Sequence, residues 1–311
     1  MNIFLAGATG AVGRALIPQL IDNGHAVTGT TRSDGKAAEL RALGVTPAVL
    51  DGLDRAAVIG AVRAAGPDVI VHQMTALSGL DDLRRFEQAF ALTNRLRTEG
   101  TDNLLAAAAE VGATVVAQSY AGWPYEPAGG PVKTEDDPLM ADPPKQMRTT
   151  LAAMRHLERV VPAAGGMVLR YGGFYGPGTG IARGGEQWEA VHARRFPIVG
   201  DGGAVWSFCH IDDAAGAVVA ALDRPAPGAV LNVVDDDPAP VREWLPALAR
   251  AVGAKPPRRV PRWVGRLLGA HVVHIMCDAR GASNARAKEV LGWTPSVPSW
   301  REGFAQLSTV S

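Results

Sequence analysis

An apolar run, Asn2-Ile3-Phe4-Leu5-Ala6, flows directly into Gly7-Ala8-Thr9-Gly10-Ala11-Val12-Gly13, and no other junction constrains the fold as tightly. The run has the length of a buried strand. Beyond the glycines, Val12, Leu16, Ile17, Leu20 and Ile21 recur at helical spacing, and Gly24 stands where a helix would stop. Strand, glycine turn and helix in that order are what a dinucleotide pyrophosphate requires. Gly7 permits a tight turn, Gly10 lets backbone approach the phosphates, and Gly13 lets helix pack on strand. The helix N-terminus then offers unpaired N–H groups to the anion. A plain strand–turn–helix can carry the same letters; the context on both sides favours the nucleotide reading.

The chain has 311 residues, 47% of them hydrophobic, enough for one α/β unit with a sizeable core and a smaller lobe. A formal charge of zero gives no nucleic-acid footprint. Cys209 and Cys277 lie far apart without metal-type spacing, as expected of free thiols in a reducing compartment. The first strand starts at residue 2, and no apolar stretch reaches the length of a membrane span. The expectation is a cytoplasmic protein, monomer or homodimer, whose partner is a small-molecule substrate rather than a nucleic acid or a membrane.

Strand and helix signals then alternate. Residues 26–31, 45–50, 69–72, 114–117 and 167–171 read as strands; 36–43, 56–65, 82–111 and 148–161 read as helices. That alternation predicts parallel crossovers and a Rossmann-type doubly wound α/β sheet. Residues 122–147, rich in proline, glycine and acidic side chains, break the pattern as an irregular loop of functional length. The expected division is a dinucleotide-binding domain over 1–170. Residues 171–311 form mainly a small C-terminal substrate-binding lobe, with some segments returning to the first domain.

Five ordered elements resemble the extended short-chain dehydrogenase/reductase superfamily, the branch holding nucleotide-sugar epimerases and dehydratases. They are the glycine turn with Leu50-Asp51-Gly52-Leu53-Asp54; Asp68-Val69-Ile70-Val71-His72; Arg170-Tyr171-Gly172-Gly173-Phe174-Tyr175-Gly176-Pro177-Gly178; Cys209-His210-Ile211-Asp212-Asp213-Ala214; and Ser283 to Lys288 with Leu291-Gly292-Trp293-Thr294-Pro295. The resemblance assigns Asp51 to the adenine ring, where a turn aspartate is the structural alternative. With the glycine motif it gives an expected cofactor set of Gly7, Thr9, Gly10, Ala11, Val12, Gly13, Arg32, Ser33, Asp51, Gly52, Leu53, Met74 and Thr75. At the end of the second strand, Thr31-Arg32-Ser33 lacks the carboxylate that grips a ribose 2′-hydroxyl, and Arg32 offers a guanidinium suited to a 2′-phosphate. NADP(H) is favoured, with NAD(H) possible.

The chain departs from this family in its chemistry. The family uses Tyr-x-x-x-Lys on the helix after the fifth strand, where lysine and cofactor ribose lower the tyrosine pKa. Counting back from Arg170, the tyrosine position falls near Gln146 or Met147 and the lysine near Thr150 or Leu151. No tyrosine lies between Tyr125 and Tyr171. Ser119 matches the residue that holds the substrate oxygen. Tyr120 and Tyr125, with Lys133 and Lys145 on the irregular segment, are candidates for a relocated proton donor. Two other answers are a hydride transfer needing no tyrosine and a nucleotide sensor without turnover.

Phe174, Tyr175, Trp206 and His210 are the expected substrate contacts, in a region whose aromatics, including Trp188, Phe196 and Phe208, suit a hydrophobic substrate better than a sugar nucleotide. His210 has helix capping as its structural alternative, and His72 ends a strand where ligands approach a parallel sheet. His271, His274 and Cys277 sit three apart, yet with no second ligand cluster no metal is expected. The sequence therefore points to an oxidoreductase moving a hydride to or from a small organic substrate, with an epimerase or dehydratase as the alternative.

Overall fold

The computed structural model describes residues 1–77 and 85–307. Seven parallel strands form the central sheet: β1 (Asn2–Ala6), β2 (Ala26–Thr31), β3 (Thr46–Val49), β4 (Val69–His72), β5 (Thr114–Tyr120), β6 (Met167–Tyr171) and β7 (Val230–Val233). Their spatial order is β7-β6-β5-β4-β1-β2-β3. The chain winds outward from β1 in both directions, so the order reverses between β1 and β4. A crevice opens at the carboxyl ends of those two strands, the place where open α/β sheets take their ligands.

Ile3, Leu5, Val69 and Val71 face one side of the sheet, and Phe4 and Ile70 the other. The first side is covered by α1 (Ala11–Asp22) packed on α8 (Ile211–Asp223). The second is covered by α3 (Arg55–Ala65), α5 (Thr101–Val111) and α6 (Arg148–Ala163). Strands buried on both faces explain the continuous apolar runs in the sequence. The expected helix over 82–111 lies partly outside the described residues; within them α4 (Phe86–Arg95) runs into a π-turn, Leu96–Gly100, and on into α5.

The expected boundary at 170 falls inside β6, and α8 and β7 return to the sheet layer. The helix Ala285–Leu291 returns to the sheet layer as well, and a separate core, which includes Trp188 of α7 (Glu186–His192), gathers Phe208, Trp244, Trp300 and Phe304 near Tyr175. Residues 122–147 are not free of structure. Val132–Lys133 pairs in parallel with Gly281–Ala282, Tyr125 bridges Leu139, and Arg155 of α6 donates to the Met140 carbonyl. Among the described residues no helix is long and apolar enough to cross a membrane.

Candidate active site

The glycine turn sits at the carboxyl end of β1. Gly7 adopts φ +96°, and a β-carbon there would lie 2.6 Å from the Gln73 carbonyl oxygen, so the turn is pressed against the end of β4. Gly13 packs on the turn itself: a β-carbon would meet the carbonyl oxygens of Gly7 and Ala8 at 2.5 and 2.6 Å. Gly10 differs. It is the exposed N-cap of α1, with no side-chain cap and no acid in the first turn. A β-carbon on it would meet only the Gly7 oxygen, at 3.4 Å, and would otherwise project into open space. An uncapped helix N-terminus behind such a cradle fits a pyrophosphate.

The other expected cofactor residues ring the same crevice. Thr30 of β2 accepts from Gly7 N–H at 2.9 Å, and Arg32 follows, exposed and without an ion-pair partner among the described residues. Ser33 caps the start of α2 (Asp34–Ala42) by backbone conformation. Asp51 lies exposed after β3 and accepts from Leu53 N–H at 3.0 Å, while Asp54 caps α3 through Ala57 N–H at 3.1 Å. Met74 closes over Gly52, where any β-carbon would overlap its sulfur, and Asn103 donates to the Gly52 carbonyl at 3.2 Å. Thr75 lies exposed just beyond. His72, 2% exposed, accepts from Met74 N–H through Nδ1 at 3.2 Å and meets Thr101 Oγ1 through Nε2 at 3.2 Å. Burial holds its pKa down to about 4, so it stays neutral and orders this strand end.

Two strands away, at the end of β5, neighbouring hydroxyls take opposite sides. Ser119 is 1% exposed and donates to Glu158 of α6 at 2.6 Å. Glu158 also receives Arg170 Nε and Nη2 at 2.8 and 2.6 Å, and Arg170 Nη1 donates to the Tyr125 hydroxyl at 3.1 Å. Tyr125 in turn donates to Asn232 Oδ1 at 2.6 Å and is fully buried. Ser119 and Tyr125 thus belong to one interior polar chain linking β5, α6, β6 and β7. The geometry gives the Ser119 proton to Glu158 and leaves Tyr125 no exposed hydroxyl. Lys133, 4% exposed, is paired with Asp137 at 3.2 Å.

Tyr120, one residue on, points the other way. It is half-buried, edge-on to Trp123 at 6.4 Å, and its hydroxyl has no hydrogen-bond partner among the described residues. Gly122 leaves room for it; a β-carbon there would overlap the phenol oxygen. Burial pushes the Tyr120 hydroxyl up to about 12, against the opposing pull of the Arg97 guanidinium.

Met147, just before α6, and Leu151 within it belong to the buried cluster against which Tyr120 packs. Met147 and Leu151 are fully buried, and Thr150 accepts from Asn94 Nδ2 of α4 at 3.1 Å. These residues, with Gln146, fill the positions counted for Tyr-x-x-x-Lys. Among the described residues Asn94 Oδ1, Gln146 Oε1, Gln73 Oε1, and Arg97 Nε and Nη1 are buried without a partner. A cleft of about 450 Å³ opens at Gln146, Arg85, Glu87 and Gln88. Farther along α6, Arg148 meets Asp142 at 3.1 Å and His156 meets Asp102 at 2.7 Å.

The substrate contacts expected farther along the chain lie elsewhere. Phe174 packs on Tyr171 at 5.3 Å beside the sheet core, and Tyr175 is fully buried among Phe208, Phe304 and His210. His210 caps α8, its Nδ1 accepting from Asp212 N–H at 3.3 Å. Trp206 is half-buried, donates to the Ile275 carbonyl at 2.8 Å and stacks on Trp244 at 4.6 Å. His271 lies against Phe86, His274 meets the Trp123 carbonyl at 3.0 Å and Cys277 the Val199 carbonyl at 3.3 Å, so the three do not converge. Among the described residues no three His, Cys, Asp or Glu side chains gather as metal ligands would.

Arg97 escaped the sequence reading, although a signal was present. Along α4–α5 the buried stripe runs Phe86, Phe90, Thr93, Arg97, Gly100, Leu104, Ala107, and a full charge interrupts it.

Comparison with known proteins agrees with this architecture. The chain is 47% identical over 311 residues, 98% of its length and 100% of the relative's, to a 3-diazoavenalumate denitrifying reductase of a Streptomyces species. It is 29% identical to a 2-alkyl-3-oxoalkanoate reductase of Stenotrophomonas maltophilia, covering 82% of this chain and 76% of that one. The UDP-glucose 4-epimerase of Thermus thermophilus, solved with NAD, superposes with a TM-score of 0.74 at 23% identity, covering 99% and 98% of the two chains. The family model matches residues 3–234. This chain belongs to the NAD dependent epimerase/dehydratase family and, within it, is an oxidoreductase that works with a nicotinamide cofactor.

Proposed function

We propose that this enzyme uses NADP(H) to reduce a diazo group on a small, largely apolar carboxylate, with release of dinitrogen. The observation that carries the reading is the similarity, over the whole of both chains, to the Streptomyces reductase, whose name joins a diazo carboxylate to loss of nitrogen. The Stenotrophomonas reductase is also named for a carboxylate.

Replacing a neutral diazo group by hydrogen consumes one hydride and one proton, and dinitrogen is the leaving group. The nicotinamide supplies the hydride when bound. Gly10 and the first-turn N–H groups of α1 would hold the pyrophosphate, Asp51 the adenine, and Arg32 the 2′-phosphate that distinguishes NADP(H) from NAD(H). The proton falls to the chain. Tyr120 carries the free hydroxyl at the β5 end, and with a pKa near 12 it is fully protonated at neutral pH. Such a phenol gives a proton to a developing oxyanion far more readily than it takes one from an alcohol, which favours reduction over epimerisation. An acceptor as reactive as a diazo group also relieves the need for a lysine-activated tyrosine, consistent with apolar Met147 and Leu151 in the buried cluster against which Tyr120 packs.

The test is turnover of NADPH with diazotised 3-amino-4-hydroxybenzoate, following NADPH absorbance, evolved nitrogen and 4-hydroxybenzoate together. The reading expects the three in equal amounts. A ketone, 2-methyl-3-oxobutanoate, runs in parallel; turnover of the ketone with the diazo compound untouched would replace the diazo reading by carbonyl reduction.

A further inference from the structure

Arg97 is 4% exposed, and both Nε and Nη1 are buried without a hydrogen-bond partner. It has no ion-pair partner among the described residues. The nearby carboxylate, Glu158, is already committed to Arg170 and Ser119. Burial draws the Arg97 pKa down to about 10, so the side chain still carries its charge at neutral pH. An enclosed guanidinium without a counter-charge costs several kcal/mol in a folded chain, and hydrophobic residues of similar volume would relieve that cost. Such a buried charge is relieved by an anion that enters in the working state.

The backbone gives this cation a special setting. Arg97 lies in the π-turn Leu96–Gly100, which interrupts the long helix and packs against α6. π-turns of this kind cluster at functional sites because one extra residue re-aims the side chains that follow. The Tyr120 hydroxyl, unpaired among the described residues, lies within electrostatic reach of Arg97, and Asn94, one turn earlier on the same helix, carries a buried oxygen without a partner. Aromatic surface lies alongside: Trp123 against Tyr120 and Phe86, and Phe86 stacked on Phe90 at 4.5 Å. The pyrophosphate cradle is elsewhere, at the end of β1, with β4 between it and β5.

We propose that Arg97 is the receptor for the carboxylate of the substrate, holding a flat, aromatic or conjugated acid beside the Tyr120 hydroxyl. The guanidinium fork suits a carboxylate in charge and shape. The inference deepens the reductase reading and rests on it for the place where substrate enters.

The test separates the two. Cinnamate, a flat aromatic acid, and cinnamamide, its uncharged counterpart, are titrated calorimetrically into protein saturated with NADP+. Cinnamate should bind at least about 10-fold more tightly, and Arg97→Met should erase the preference while Arg97→Lys keeps part of it. NADPH affinity should stay within about 2-fold in both variants, and the Tm of Arg97→Met should hold or rise, since the variant removes an unpaired buried charge. Equal binding of acid and amide, or a preference that survives Arg97→Met, overturns the proposal. Loss of NADPH affinity instead of cinnamate affinity also overturns it, by reassigning Arg97 to the cofactor phosphates. If the diazo compound is not reduced while the Arg97-dependent preference is present, the carboxylate site stands and the diazo reading falls.

Discussion

Removing the hydroxyls of Ser119 and Tyr120 one at a time should give opposite phenotypes, although the residues are adjacent on β5. The Ser119 hydroxyl donates to a buried carboxylate at 2.6 Å, and Glu158 has only Arg170 besides it. Ser119→Ala removes one charge-assisted bond and leaves the ion pair, a loss of roughly 1.5–3 kcal/mol. With an unfolding entropy of about 2.1 cal/mol/K per residue, a chain of this length should melt about 2–5 °C lower. Its turnover should stay near normal, because that proton faces the interior. Among the described residues the Tyr120 hydroxyl has no partner to lose, so Tyr120→Phe should change stability by less than about 0.5 kcal/mol. Its hydride-transfer rate should fall by about 10²–10⁴, the usual contribution of a positioned proton donor. Thermal unfolding by circular dichroism and single-turnover loss of NADPH absorbance read the two quantities separately. A Ser119→Ala protein that melts normally but turns over slowly, beside a fully active Tyr120→Phe, refutes the assignment and returns the substrate oxygen to Ser119.

Gly10→Val should abolish NADPH binding, measured by calorimetry, while the protein still unfolds cooperatively, because the added atoms occupy the open space of the phosphate cradle; normal binding would put the phosphates elsewhere. Arg32→Ala should narrow the affinity gap between NADPH and NADH by roughly 1–3 kcal/mol in paired titrations, and equal affinities in the unmodified protein would remove the NADP(H) preference. Asp235 is 2% exposed and desolvation raises its pKa from 3.8 to about 8, so the folded state holds a proton that the unfolded chain has released. Stability should therefore decline from about pH 4 towards pH 8, by at most ~1.4 kcal/mol per unit, and Asp235→Asn should flatten that slope in denaturation curves taken across the range.

The sequence by itself determined the parallel sheet and the glycine turn at the end of its first strand, because both rest on local rules. Residues 2–6 and 69–72 are long enough only for strands buried on both faces, the glycine spacing needs no distant partner, and alternating strands and helices imply parallel crossovers of one hand, while the strand order came with the tertiary structure. The catalytic region was less legible. Alternation along β5 separates Ser119 from Tyr120, yet which of them meets Glu158 depends on where α6 and β6 dock, 39 residues later in the case of Glu158. Tyr125 reads as a free phenol until Asn232 and Arg170 arrive from other strands. Phe174, Tyr175 and His210 lie in motifs that resemble a substrate lobe, and only the assembled structure shows Phe174 against Tyr171, Tyr175 in the core and His210 capping α8. Arg97 was visible only as a charge on an apolar stripe. Its burial, its lack of an ion-pair partner among the described residues and its π-turn are properties of the assembled interior, where a side chain's partners come from elements its own neighbours in sequence do not specify.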